Sequence, residues 1–198
     1  MQAPSRLEAP PFTLCYFDLE IRHTLEECGS WEEVRRSGGI SIGCFWSETD
    51  GFPTFFDEHS LPEAVSQMES HDVCISFNGK WFDQPLMESI LGRSIHFKEH
   101  IDLFELIKTA LSRVSKGWKG HGLDAICQRT IYEGKNGASE QAPHLAREGK
   151  WASLVNYCLR DVLLTRKLSN FIRKNGHIID VDGDSLFLDI PEWFRTCP

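Results

Sequence analysis

Thr13-Leu14-Cys15-Tyr16-Phe17-Asp18-Leu19-Glu20-Ile21 is an apolar run interrupted by two acids. Its length and its aromatic and branched residues predict a buried strand. Side chains alternate along a strand, so Asp18 and Glu20 share one face of the sheet. Two ionised carboxylates side by side repel, and burying them unpaired costs several kcal/mol. A divalent cation relieves both problems. An edge strand with a solvated acidic face is the competing reading, and the pair alone favours it.

The pattern around this run is that of a mixed α/β domain. Residues 39–47 (GISIGCFWS) and 51–56 read as two further strands, with the turn signal Asp50-Gly51 making them a hairpin. Residues 26–36 are polar, helical or loop, and 61–70 form a short helix. Another buried strand covers 72–77 (DVCISF), a helix runs from 79 to about 91, and 96–103 is a further strand candidate. A helix over 104–114, a Gly- and Lys-containing loop over 116–122, a short helix over 123–130 and a polar loop over 133–139 follow. Residues 150–174 carry the longest helical signal, and the stretch 185–190 adds a strand or docks elsewhere. Hairpin-rich β followed by alternating α and β predicts one mixed sheet flanked by helices. The domain spans residues 12–175, after a disordered lead-in at 1–11, and a C-terminal tail (176–198) packs on the domain or docks a partner.

Two further acids stand out against their surroundings. On the wheel of the long helix the polar arc holds Ser153, Asn156, Arg160 and Lys167. Asp161 falls instead among Leu154, Leu164, Leu168 and Ile172, with Tyr157 one turn before it on the same stripe. Such an aspartate needs compensation, either from a site or from an N–H or Arg partner on a neighbouring loop. Asp83 follows a strand end in Ser76-Phe77-Asn78-Gly79-Lys80-Trp81-Phe82-Asp83. An acid in a first helical turn also complements the helix dipole, which is its plainer reading.

Bulk properties limit the function without choosing it. The 198 residues suit a single domain, with 41% hydrophobic and 25% charged residues. No apolar run reaches bilayer length, and residues 1–11 lack the pattern of a secretory leader. The seven cysteines form no CxxC and several (Cys15, Cys44, Cys74, Cys158) sit in apolar runs, which suggests small hydrophobes in a reducing compartment and no zinc site. The expected location is cytoplasmic, nucleoid or nuclear, with no secretion and no membrane association. A net charge of −8 argues against a simple nucleic-acid coat, although two divalent ions on four carboxylates would offset half of it.

Taken together, FDLE at 17–20, NGKWFD at 78–83 and YCLRD at 157–161 resemble the three exonuclease motifs of DnaQ-like nucleases. They are most similar to those of family B DNA polymerase proofreading domains and stand-alone relatives. The resemblance implies a ribonuclease H-like fold and a metal-dependent 3′→5′ exonuclease releasing nucleoside monophosphates from single-stranded 3′ ends. DNA is favoured and RNA is the alternative; a catalytically silent binding module with the same fold would normally lack one of the acids. Tyr157 stands where one branch of the superfamily has tyrosine, while Asn156 stands where the other has histidine, so the tyrosine branch is implied.

By the same resemblance Asp18, Glu20, Asp83 and Asp161 hold two Mg2+ or Mn2+ ions and Tyr157 orients the attacking water. Asn78, Trp81, Phe82 and Leu19 contact substrate. Phe17 is a further stacking candidate, although core packing is the plainer reading for Phe17 and Phe82, and Lys116, Lys119 and His121 are candidate phosphate contacts from a loop that a solvated surface explains equally well. The chain carries no polymerase or helicase segment, so a replication or repair partner would be a separate polypeptide, and the tail after Gly176 is a candidate docking strip.

Overall fold

The computed structural model describes residues 12–134 and 142–196. The expected lead-in and the part of the polar loop at 135–139 lie outside the described residues. Strands β1 (Leu14–Ile21), β2 (Ile40–Ser47), β3 (Phe52–Phe56), β4 (Val73–Ser76) and β5 (His100–Asp102) form one sheet, and β6 (His177–Ile179) pairs with β7 (Ser185–Phe187) in a separate ribbon. The helices are α1 (Leu25–Cys28), α2 (Trp31–Ser37), α3 (Leu61–Ser70), α4 (Asp83–Leu91), α5 (Leu103–Arg113), α6 (Leu123–Ile131), α7 (Ala142–Arg147), α8 (Trp151–Asn175) and α9 (Glu192–Thr196).

The sheet order is β3-β2-β1-β4-β5, antiparallel from β3 to β1 and parallel from β1 to β5. β1 is therefore the central strand, and the edge-strand reading of its two acids is excluded. Gly51, at φ 75, turns the β2–β3 hairpin at the expected Asp50-Gly51. A five-stranded mixed sheet with helices on both faces is the ribonuclease H-like arrangement.

The alternation along β1 divides the core in two. Leu14 and Tyr16 point into a cluster shared with Ile107 of α5, Ile126 of α6 and Leu154, Val162, Leu168 and Ile172 of α8. Cys15, Phe17 and Leu19 point the other way, onto Val65 and Met68 of α3 and Leu86 and Met87 of α4. Each fully buried aliphatic side chain contributes about 1.5–3 kcal/mol as an upper estimate, so α8 is held on the sheet by its apolar stripe. The same stripe carries Asp161 to the sheet. The segment 176–196 closes that face: Ile178, Leu186, Leu188 and Ile190 join the cluster, and Arg173 Nε donates to the Phe194 carbonyl at 3.1 Å.

Several local expectations change. The helix expected from residue 79 begins at Asp83. Asn78 adopts φ 70, and its N–H and that of Lys80 donate to the Asp102 carboxylate (2.8 and 3.0 Å), so residues 78–82 form a turn. The strand expected over 96–103 shrinks to His100–Asp102, because its only partner among the described residues is the short β4 and Asp102 then caps α5. Of the stretch 185–190, Ser185–Phe187 pairs with β6 rather than with the main sheet. The short helices α7 and α9 were not anticipated.

A close approach fixes the hairpin against the sheet. The Phe56 ring lies over Gly43, where an added Cβ would sit 2.1 Å from a ring atom. Gly43→Ala should therefore lower stability by about 1–3 kcal/mol in urea denaturation, through overpacking. An unchanged midpoint would show that the ring can move aside.

Candidate metal centre and cleft

Even-numbered β1 residues face α8, so the row Leu14, Tyr16 continues as Asp18 and Glu20 where the apolar core ends. Glu20 is buried and Asp18 half-buried. The ladder to β2 shifts register between Glu20 and Ile21, which ends the regular face just beyond the second acid. Facing them on α8 is Cys158, whose thiol donates weakly to the Asp18 carbonyl at 3.6 Å. Ligand atoms of Asp18, Glu20 and Cys158 lie within 4.8 Å of one another.

Asp83 arrives from the opposite side. β1 pairs with β4 only as far as Tyr16, which leaves the Leu19 N–H without a strand partner. The Asp83 carboxylate, at the first position of α4, accepts it at 3.1 Å. Burial pushes the Asp83 pKa up to about 7, and the Asp102 and Asp161 charges add to that push. Asp161 is buried on the inner stripe of α8, and Tyr157 stands half-buried one turn before it. Asp18, Glu20 and Asp161 all raise the Cys158 thiol pKa, after the larger effect of burial. The acids are thus close enough to act on one another, although Asp83 and Asp161 are outside the tight group of Asp18, Glu20 and Cys158.

The donor set suits a hard cation. Carboxylate oxygens prefer magnesium, manganese or calcium, whereas zinc is favoured by thiolate and imidazole. Burial first, and then its acidic neighbours, raise the Cys158 thiol pKa, so the metal-free site favours the thiol over the thiolate. Cys44, the cross-strand partner of Asp18, is likewise pushed up to about 12, by burial first and then by the Asp18 charge. The apolar run around Cys158 marks it correctly as a small buried residue, but its place beside the acids was not visible in sequence.

A cleft of about 640 Å³ opens beside this cluster, with Leu19, Glu20 and Ile21 of β1 among its lining residues. Trp31, Trp81 and Phe82 line it together with Asn78, and so do Phe104, Lys108 and Trp118. Leu19, Asn78, Trp81 and Phe82 therefore share one cavity with Glu20. Sequence reading missed Trp31, Phe104, Lys108 and Trp118, which come from elements far apart in the chain. It also missed Asp102. That buried carboxylate accepts from Asn78 N and Lys80 N and from Phe104 N and Glu105 N (3.0 and 3.3 Å), tying the turn before α4 to the start of α5.

Phe17 is buried against Phe97, with ring centroids 5.4 Å apart, so the core reading holds for it. Two loop candidates are engaged elsewhere. Lys116 is engaged by Asp180 and Asp182 at 2.5 and 2.6 Å, which neutralises its charge. His121 is fully buried, and its Nδ1 lies 3.2 Å from the Lys119 carbonyl. Lys119 remains exposed.

No protein-family model matches the sequence, and no curated protein matches it. Among solved structures, the chain is similar to the family B DNA polymerase from the hyperthermophilic archaeon Pyrobaculum calidifontis. The TM-score is 0.61 at 16% identity, over 96% of this chain and 28% of the polymerase chain. The likeness is one of fold, and this chain spans little more than a quarter of that polymerase. Among the described residues, no helix is long and apolar enough to cross a membrane.

The raised pKa of Asp83 has a consequence for stability. An ordinary aspartate titrates near 3.9, so below about pH 4 it is protonated both folded and unfolded and carries no penalty. As pH rises towards about 7, the unfolded chain ionises while the folded one resists, and stability is progressively lost. Asp83→Asn, which keeps an acceptor for Leu19 N–H, should therefore stabilise the metal-free protein at pH 8 by on the order of 2 kcal/mol. The difference should vanish by pH 4 and shrink when magnesium or manganese is added. Thermal denaturation with EDTA at the two pH values checks this; equal Tm at pH 8 would contradict it.

Proposed function

We propose that this chain is a metal-dependent 3′→5′ exonuclease acting on single-stranded 3′ ends, with DNA favoured over RNA. The reading rests on one observation: the tight Asp18–Glu20 group lies beside an aromatic cleft in which Glu20 itself is a lining residue. The three motifs, in the order of the proofreading family, and the polymerase-like fold support the same reading. It gives Asp18, Glu20, Asp83 and Asp161 to cation binding, Tyr157 to orienting water, and Asn78, Trp81, Phe82 and Leu19 to the substrate.

Divalent cations held by these acids would neutralise the phosphate, acidify the attacking water and stabilise the departing 3′ oxygen. The chain itself supplies the positions. The sheet fixes Asp18 and Glu20 on one face, and α8 brings Asp161 with Tyr157 one turn earlier. A phenol titrating near 10 is a poor base at neutral pH, so Tyr157 serves by holding a water in line rather than by removing its proton. Trp81 and Phe82 line the cleft, and a base could stack there only when it is not already stacked in a duplex. A replication or repair polypeptide as partner belongs to the same proposal.

The complete set of four acids and the tyrosine favours an enzyme over a silent binding module. Strands labelled at either end, as DNA and as RNA, should lose mononucleotides stepwise from the 3′ end with magnesium or manganese and remain intact with EDTA. Asp18→Ala or Asp161→Ala should reduce the rate on the order of a hundredfold or more while the fold is kept. Tyr157→Phe should slow the reaction about ten- to hundredfold with metal affinity retained. Cleavage from the 5′ end, or a Tyr157→Phe variant as fast as the parent, would count against these assignments.

A further inference from the structure

Trp118 lines the same cleft as Trp31 and Trp81 but is held differently, and the difference points to a role for the C-terminal segment. Trp81 is gripped where it stands: Arg35 lies 4.2 Å from its ring centre, and Trp31 meets it edge-on at 6.2 Å. Among the described residues, Trp118 has no comparable packing. Its ring is 64% exposed and touches Phe104 edge-on at 6.3 Å, while Phe104 stacks on Phe77 at 5.2 Å. Trp118 also sits in the loop 116–122, which contains Gly117, Gly120 and Gly122 and should be pliable.

That loop is nevertheless fastened at both ends to the β6–β7 hairpin. Lys116 Nζ lies 2.5 Å from Asp180 and 2.6 Å from Asp182. Asp180 is buried, and its other oxygen accepts from Asp182 N and Asp184 N at 2.9 and 3.0 Å. Arg129 bridges the two segments, donating to Gly120 O at 3.0 Å and to Ile179 O at 3.4 Å. Val181 packs so closely on Gly120 that an added Cβ would meet it at 3.0 Å. The hairpin in turn is rooted in the main core through Ile178 and Leu186. A buried aspartate held by a half-buried lysine is more than a surface loop that merely connects two helices needs.

We propose that Trp118 forms a second stacking wall of the substrate cleft, taking a further unpaired base, and that the C-terminal hairpin holds it there through Lys116. Lys108, an exposed residue lining the same cleft, would meet the phosphate between the two bases. This rests on the nuclease reading for its ligand, a single-stranded oligonucleotide, and extends it to residues that no motif marks. Trp118 would contact substrate; Lys116 would be a positioning residue. Two walls require at least two unpaired nucleotides, so a fully paired 3′ end would be a poor ligand.

The test separates binding from cleavage. Binding of fluorescein-labelled oligothymidylates of two to six nucleotides, and of a blunt duplex, would be measured by anisotropy on the full chain in EDTA. Hydrolysis would be followed separately with manganese. Trp118→Ala should weaken binding of the longer single strands about tenfold and raise KM to match, with a smaller change in kcat, and Trp118→Phe should restore most of the loss. Lys116→Met should move KM in the same direction, and Lys116→Arg should recover it. Phe187→Ala, an exposed aromatic change on the same hairpin away from the cleft, should alter neither. If Trp118→Ala binds and cuts with unchanged affinity, the wall is refuted and the nuclease reading stands. If the parent binds but never hydrolyses, and Trp118→Ala loses binding, the wall stands and the nuclease reading fails. Absence of oligonucleotide binding by the parent, or a Trp118 effect confined to kcat, overturns the proposal.

Discussion

Mutual repulsion among carboxylates governs the centre of this protein. β1 is paired on both sides, so whatever its even-numbered residues present must face α8. Leu14 and Tyr16 satisfy that face with apolar contact, and Asp18 and Glu20 extend it with charge. Asp83 comes in by capturing a β1 N–H that the shortened pairing with β4 leaves over, and Asp161 rides in on the stripe that packs α8. Each element has an apolar reason to be where it is, and each delivers an acid to a place where an acid is unfavourable. The buried Asp83, pushed up to about 7, registers that conflict. A hard cation would resolve it, and the carboxylates supply the oxygen donors that such a cation prefers.

The residues that could be found in sequence are those whose local pattern is violated. Asp18 and Glu20 break an apolar strand and Asp161 breaks an apolar helical stripe, so a period of two and a period of 3.6 suffice to expose them. The central sheet was legible for the same reason: the β2–β3 hairpin, α3 and α8 follow their hydrophobic patterns closely. Asp102 was not legible, because a carboxylate before a helix looks like an ordinary cap. Its second task, holding the backbone of Asn78 and Lys80, depends on two parallel strands being neighbours. Trp31, Phe104 and Trp118 were hidden for a related reason. Nothing in their own surroundings departs from a loop or an amphipathic helix, and only the fold places them around one cleft. Lys116 and His121 went wrong in the opposite direction, since a charge or imidazole in a Gly-rich loop suggests phosphate until its partners are known.

The arrangement separates two kinds of work. The sheet and α8 set the acids rigidly, through side chains packed within regular elements. The cleft is assembled from turns, loops and helix ends, and these are steadied by buried polar anchors: Asp102 beneath Asn78 and Phe104, and Asp180 beneath Lys116. Such anchors stabilise the fold only modestly, because taking a carboxylate out of water offsets much of what its hydrogen bonds contribute. Their effect is geometric, fixing where exposed rings stand relative to the acids. A mixed sheet of this kind carries many activities, so the chemistry has to be argued from the acids and the cleft rather than from the topology.

The most direct measurement is anomalous diffraction at the manganese edge from crystals of the full chain soaked in manganese. Peaks among the side chains of Asp18, Glu20, Asp83 and Asp161, lost in Asp18→Ala crystals, are the expected result. Manganese bound only elsewhere, or no peak near Asp18 and Glu20 at saturating metal, would contradict the claim that these carboxylates come together to hold a cation.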